Sequence, residues 1–333
     1  MIRRMMHLLA MLFVAAGWAQ AAGAQTFAVA SITNVDVGRL AAAAVGETVL
    51  RIDPATGSVT TVSGSGNRLT TQGARALVTI SCAVGSNCNV SKSRITISTT
   101  GSPSGRALAL RNFTVSTAGA SATLDTQPGT GSNITFTLGP IGLNQSKTFW
   151  VGFDLPVLGD DAGGSSGAAV SPFLVTVARL TGTGANSLSQ SATASVVRAL
   201  SITKTADLDF GRLVAPSAGS GLVSLDQATG QVSVTGIDAG ALPAPSPSVA
   251  RFAVSGEGGQ SITVSVPSSL TLTGPGGSIQ VTTSANVSGA QTLSGSMGSA
   301  GALAVRVGGS YPISAATQKG TYSGSFTVMV QYN

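Results

Sequence analysis

Charge, aromatic rings and imidazole are all scarce in this chain of 333 residues. Charged side chains make up 9% and aromatics 5%, and His7 is the single histidine. With no histidine beyond position 7, a Ser-His-Asp or Cys-His arrangement has no base to work with. Carboxylates are too sparse to nominate the close pair that a retaining glycosidase needs. No Gly-rich loop ends in Gly-Lys-Ser/Thr, which excludes a P-loop. The balance of 18 Lys+Arg against 12 Asp+Glu is basic, yet the cations are scattered. A nucleic-acid footprint needs them clustered, so no nucleic-acid partner is expected. No apolar run is long enough to span a bilayer. The expectation is a protein with no catalytic residues, no cofactor and no metal, and not an enzyme.

What remains is a chain of Gly, Ser, Thr, Val and Ala. Its start, Met1-Ile2-Arg3-Arg4, is basic, and the stretch from Leu8 to Ala16 is apolar. Ala22-Gly23-Ala24 then fits the small-x-small cleavage rule. Residues 1–24 therefore read as a secretory signal peptide, with Gln25 the first mature residue. The expected location is exported: periplasm, cell surface or extracellular. Two cysteines, Cys82 and Cys88, flank turn residues, and in an exported chain such a pair reads as a small disulfide loop.

The chain also repeats itself. Val35-Asp36-Val37-Gly38-Arg39-Leu40 matches Leu208-Asp209-Phe210-Gly211-Arg212-Leu213 at an offset of 173. Asp53-Pro54-Ala55-Thr56-Gly57 matches Asp226-Gln227-Ala228-Thr229-Gly230 at the same offset. Phe173-Leu174-Val175-Thr176-Val177 is similar to Phe326-Thr327-Val328-Met329-Val330. A unit this long means two tandem domains rather than a solenoid. The domains are expected at 27–180 and 195–333, joined by a Gly/Ser/Thr-rich linker at 181–194. Short alternating runs between Gly and Pro punctuation read as strands throughout. In copy one these fall near 75–81, 94–100, 107–115, 134–138 and 148–153. In copy two they fall near 222–225, 231–235, 249–254, 261–266, 278–283 and 302–307. The fold class is all-β: two tandem immunoglobulin-like or pilin-like antiparallel β-sandwiches after the signal peptide.

The end of the chain alternates most clearly. From Gly320, the residues Tyr322, Phe326, Val328, Val330 and Tyr332 share one face of an extended strand. This ending resembles the C-terminal strand of chaperone–usher pilus subunits. The second copy, through Leu200-Ser201-Ile202-Thr203-Lys204, Leu208-Asp209-Phe210-Gly211 and the ending just named, resembles exported bacterial domains of unknown function related to pilin-like and spore-coat-like proteins. The resemblance implies that Gly320, Tyr322, Phe326, Val328, Val330 and Tyr332 form a strand-pairing interface. It implies a periplasmic chaperone, an usher and neighbouring pilus subunits as partners. Only Gln25 to Thr33 precedes the first motif, where a polymerising pilin carries a long donor segment. That suits a tip or adhesin-like subunit.

Other residues are weighed against plainer roles. Asp36 and Asp209 read as duplicated turn residues, with Arg39 and Arg212 placed to pair with them. Asp154, Asp160 and Asp161 read as a solvated loop rather than a Ca²⁺ site, since further ligands are absent. Trp150 is a core tryptophan or an aromatic platform for a surface glycan. The leading expectation is an exported surface structural or adhesive protein acting through strand complementation. The alternatives are a secreted glycan- or small-ligand-binding module and, behind it, an outer-membrane β-barrel, for which aromatic girdles are lacking.

Overall fold

The computed structural model describes residues 27–82, 90–163, 166–180 and 184–333. The signal-peptide reading over 1–24 and Cys88 lie outside these residues. The described chain is built of strands, with a single 3₁₀ turn at Asp160–Ala162. The first copy holds twelve: β1 (Phe27–Ile32), β2 (Val35–Ala41), β3 (Thr48–Ile52), β4 (Val59–Ser63), β5 (Asn67–Arg68), β6 (Ala76–Cys82), β7 (Ser93–Thr99), β8 (Arg111–Ser116), β9 (Asn133–Leu138), β10 (Ser146–Val157), β11 (Gly167–Arg179) and β12 (Ala185–Val197). One sheet runs β1-β6-β10-β3-β4, with β8 on the far edge of β10. The other runs β5-β2-β12-β11-β7-β9. Both inner faces are apolar every second residue, as in β6, where Ala76, Val78, Ile80 and Cys82 are buried. That period is what fixes each strand's face.

Between the sheets lies one continuous core. Its centre is aromatic despite the low total: Phe113, Phe153 and Phe173 pack with ring centroids 5.7 to 6.1 Å apart. Phe136 meets Phe149 edge-on at 5.5 Å. Spending the few rings at one point fills the space between two sheets with side chains of sufficient reach.

The second copy follows the same order: β13 (Ser201–Ala206), β14 (Leu213–Val214), β15 (Ser220–Leu225), β16 (Val232–Val234), β17 (Gly240–Ala241), β18 (Ala250–Glu257), β19 (Ser261–Ser265), β20 (Ser269–Gly274), β21 (Gly277–Ala285), β22 (Gly289–Thr292), β23 (Ala300–Ser314) and β24 (Met329–Tyr332). Its sheets run β13-β18-β23-β15-β16, with β21 also on β23, and β22-β19-β24, with β14-β17 as a separate pair. The core is split into two smaller clusters, and the half-buried Leu208 and Phe326 touch both.

The duplicated motifs make the turns expected of them. Asp36 Oδ1 accepts from the Gly38 amide at 2.9 Å, and Asp209 Oδ1 from the Gly211 amide at 2.7 Å. Asp53 and Asp226 close the β3–β4 and β15–β16 hairpins by accepting from Ala55 and Ala228. Gly57 and Gly230 sit there at φ 77° and 72°, where a side chain would be strained.

Three expectations change. The stretch read as a linker at 181–194 is instead β12 from Ala185 onward. It pairs antiparallel with β11 over twelve residue pairs and parallel with β2. Ser187, Ser189, Ser191 and Ser195 share one face; the other carries Asn186 and Gln190, which bond β1 at Val29 and Ile32, and Ala192, Ala194 and Val196, which enter the core. The second copy therefore starts past Val197, not at 195. Next, Arg39 does not pair with Asp36. It reaches the second copy, donating to Gln260 Oε1 at 2.7 Å and to the Asn333 main-chain oxygen at 3.1 Å. Finally, Asp154 does not lie in a solvated loop, while the half-buried Asp160 and the exposed Asp161 each hold hydrogen bonds there. Asp154 is buried in β10 against Arg51. Asp160 accepts from the buried Arg106 and from the Ala199 amide, and Asp161 from the Gly46 amide.

Candidate functional site

The two copies can be compared pairing by pairing. In copy one the strand pairs are β1·β6, β6·β10, β10·β3, β3·β4, β10·β8, β2·β5, β7·β9, β11·β7, β11·β12 and β12·β2. The first eight recur in copy two as β13·β18, β18·β23, β23·β15, β15·β16, β23·β21, β14·β17, β19·β22 and β24·β19. Among the described residues nothing in copy two takes the place of β12. In copy one that strand closes the seam between β11 and β2.

The gap leaves a physical trace on both of its walls. In copy one Phe173, Val175 and Val177 of β11 are all fully buried. Their counterparts are Phe326, Val328 and Val330, of which only Val328 is buried. On the opposite wall Val35, Val37 and Leu40 are buried in copy one. Their counterparts are Leu208, Phe210 and Leu213, of which only Phe210 is buried. Leu200, Ile202 and Tyr332 join this half-buried set around the second cluster. Apolar side chains left half-covered in a row are surface that a further strand could remove from water.

Backbone pairing weakens in the same place. β11 is thirteen residues long and has partners on both edges, whereas β24 is four residues long and pairs only with β19 among the described residues. From Gly324 to Val328 the chain belongs to no strand and makes no backbone hydrogen bond among the described residues. It is tethered upstream by reciprocal bonds between Ser323 and Thr273, at 2.8 and 3.0 Å. Gly324 passes so close to β20 that an added Cβ would lie 2.1 Å from the Thr271 oxygen. Such an unpaired row of N–H and C=O groups is a template for another strand.

The alternation expected from Tyr322 to Tyr332 therefore holds. Phe326, Val328, Val330 and Tyr332 pack on the core clusters, Tyr322 is half-buried against Gly274 and Gly276 outside both clusters, and Ser323, Ser325, Thr327, Met329 and Gln331 are exposed. The regular ladder covers only Met329–Tyr332. Gly320 lies at φ 150°, close against Pro275. The role of Tyr332 was not visible in the sequence. Its hydroxyl accepts from the Glu257 amide at 2.7 Å and donates to the Arg198 carbonyl at 2.9 Å. Burial raises the phenol's pKa, which keeps it a neutral donor. Glu257 is itself fully buried at this joint, accepting from Ser166, the Arg198 amide and the Gly298 amide. The joint ties the end of β24 to the chain leaving copy one.

Two other candidates are placed as follows. Trp150 is half-buried, and the Arg75 guanidinium lies 3.6 Å over its ring centroid. Arg75 is held there by the Pro54 and Ala55 carbonyls, so this ring face is covered rather than offered to a sugar. Cys82 is the buried last residue of β6, and no cysteine among the described residues is free.

No helix among the described residues is long and apolar enough to cross a membrane. No curated protein matches the chain. Residues 200–332, which span the second copy from just before β13 to the end of β24, match a family model described as a domain of unknown function, DUF4402.

Proposed function

We propose that this chain is an exported surface structural or adhesive protein that works through strand complementation at its second copy. One observation carries the reading: the copies share eight strand pairings, and the second lacks the counterpart of β12 among the described residues. The incoming strand would run antiparallel to β24 and parallel to the 208–214 segment, as β12 does in copy one. A periplasmic chaperone, an usher and neighbouring pilus subunits are the partners this reading names. The chain's work is contact between surfaces rather than bond-making. An outer-membrane barrel finds less support, since the space between the sheets of copy one is filled by an apolar core.

The test supplies the strand. A second copy of the β12 sequence, Ala185–Val197, is appended after Asn333 through a flexible turn. The reading expects higher thermal stability of the second copy and new amide protection at residues 324–328. A matched tail with Ala192, Ala194 and Val196 counterparts changed to Asp should give neither effect. Equal behaviour of the two tails would remove the reading. Normal export of a chain cut before Gly320 would count against the chaperone arm alone.

A further inference from the structure

The first copy carries a cavity of about 260 Å³ where β3, β8 and β10 meet, lined by Arg51, Ile52, Asn112, Thr114, Thr130, Phe153 and Asp154. Its polar wall is tied together on one buried carboxylate, Asp154, with the Arg51 side chain about half exposed, 52%. Arg51 donates through Nε and Nη2 to the two Asp154 oxygens at 2.7 and 2.8 Å. Asn112 Nδ2 donates to Asp154 Oδ2 at 2.8 Å. Asn112 holds a left-handed backbone, φ 51°, beside the irregularity where β8 pairs with Gly152 and Asp154. Asparagine adopts this backbone more readily than most residues, and here its side-chain amide meets Asp154.

The fold does not require this arrangement. In copy one Asp154 lies directly opposite Arg51, one step from the Phe153·Ile52 pair. In copy two the corresponding step from Leu225·Gly309 is Ser224 opposite Ser310. The same two strands thus pair without any charge. The buried carboxylate and its two donors are an addition to copy one.

Several polar groups on the wall remain uncommitted. The Thr114 and Thr130 hydroxyls, Arg51 Nη1 and Asn112 Oδ1 make no hydrogen bond among the described residues. Hydroxyls both donate and accept, the guanidinium donates, and the amide oxygen accepts. The charges of Arg51 and Asp154 cancel. An anion would meet the carboxylate and a cation the guanidinium, so neither gains. The volume lies just under the range typical for drug-sized ligands.

We propose that this cavity binds a neutral, polyhydroxylated ligand the size of one sugar ring, its adjacent hydroxyls bridging Arg51, Asn112 and the two threonines. The inference does not depend on strand filling in the second copy. Saturation-transfer NMR on the full mature chain, with glucose, galactose, mannose, fucose and N-acetylglucosamine as probes, tests it. At least one is expected to bind with a Kd of about 1 mM, as a small polar contact set allows. The double variant Thr114→Val, Thr130→Val keeps both shapes and should weaken that binding at least tenfold, with an unchanged circular-dichroism spectrum. Asn112→Gly keeps the left-handed backbone and should do the same. Silence from all five sugars overturns the proposal. So does binding that survives the threonine pair, or a preference for N-acetylneuraminate over every neutral sugar.

Discussion

The Tyr332 hydroxyl lies 2.9 Å from the Arg198 carbonyl oxygen, so the last strand of the second copy is bonded to the segment leaving the first. The same hydroxyl accepts from the Glu257 amide. Tyr332→Phe would strip partners from one backbone donor and one acceptor. The expected cost is about 1–2 kcal/mol in the second copy, the usual loss for part-buried hydrogen bonds. Faster proteolysis between Val197 and Ser201 should accompany it. An unchanged melting curve and cleavage rate would show that the joint does not rest on this residue.

Gly324 is a position where backbone meets backbone. Gly324→Ala would set a methyl 2.1 Å from the Thr271 oxygen and push the terminal segment away from β20. A cost of about 1–3 kcal/mol is expected, as for overpacking elsewhere. Hydrogen exchange should quicken at the Thr273 and Ser323 amides, which bond each other's carbonyls. Gly240→Ala, with open space around the added carbon, serves as the control and should stay within about 0.5 kcal/mol.

Acid should weaken the first copy through Asp154. Burial pushes this carboxyl up, but the Arg51 guanidinium and the Asn112 amide outweigh it and hold it below the ordinary carboxylate range. Its folded value is thus lower than its unfolded one. The stabilisation is complete above the unfolded value of about 3.9 and is lost progressively below it, as pH falls through the lower folded value. Asp53, held down by the Ala55 amide, acts in the same direction. Urea melts between pH 7 and pH 3 should show the wild type losing stability below about pH 4. Asp154→Asn should be weaker by about 1–3 kcal/mol at pH 7 and less sensitive to acid. Parallel pH curves for the two proteins would assign the acid response elsewhere.

Trp150→Ala should act on stability and not on sugar binding. It removes half-buried ring surface and the Arg75 stack, for a loss of about 2–3 kcal/mol, below the range for fully buried tryptophan. Binding at the cavity beside Asp154 should be retained at temperatures where the variant is folded. Loss of binding with an unchanged melting temperature would restore Trp150 as the ligand platform.

Much of the architecture could be read from residue order, because alternation and turn chemistry are local. The Asp-x-Ala-Thr-Gly hairpins and the inward face of Phe326 to Tyr332 are examples. β12 was hidden because its outward serines, with Asn186 and Gln190 turned toward β1, imitate a linker. Its inward Ala192 and Ala194 are too small to signal a strand. The Arg51–Asp154–Asn112 wall was hidden for another reason. Its members lie far apart in sequence and meet only through strand register. Arg39 misled for the same cause: its nearest charge in sequence is Asp36, but its partners come from the other copy.

The Thr193 hydroxyl donates to the Val35 carbonyl across 158 positions, and that distance sets an order of events. A chain threaded out from its leading end releases Val35 early and β12 late, and such remote pairings are slow to form. Until β12 arrives, the edge of β2 that it pairs with in parallel stays open, and the first sandwich cannot close.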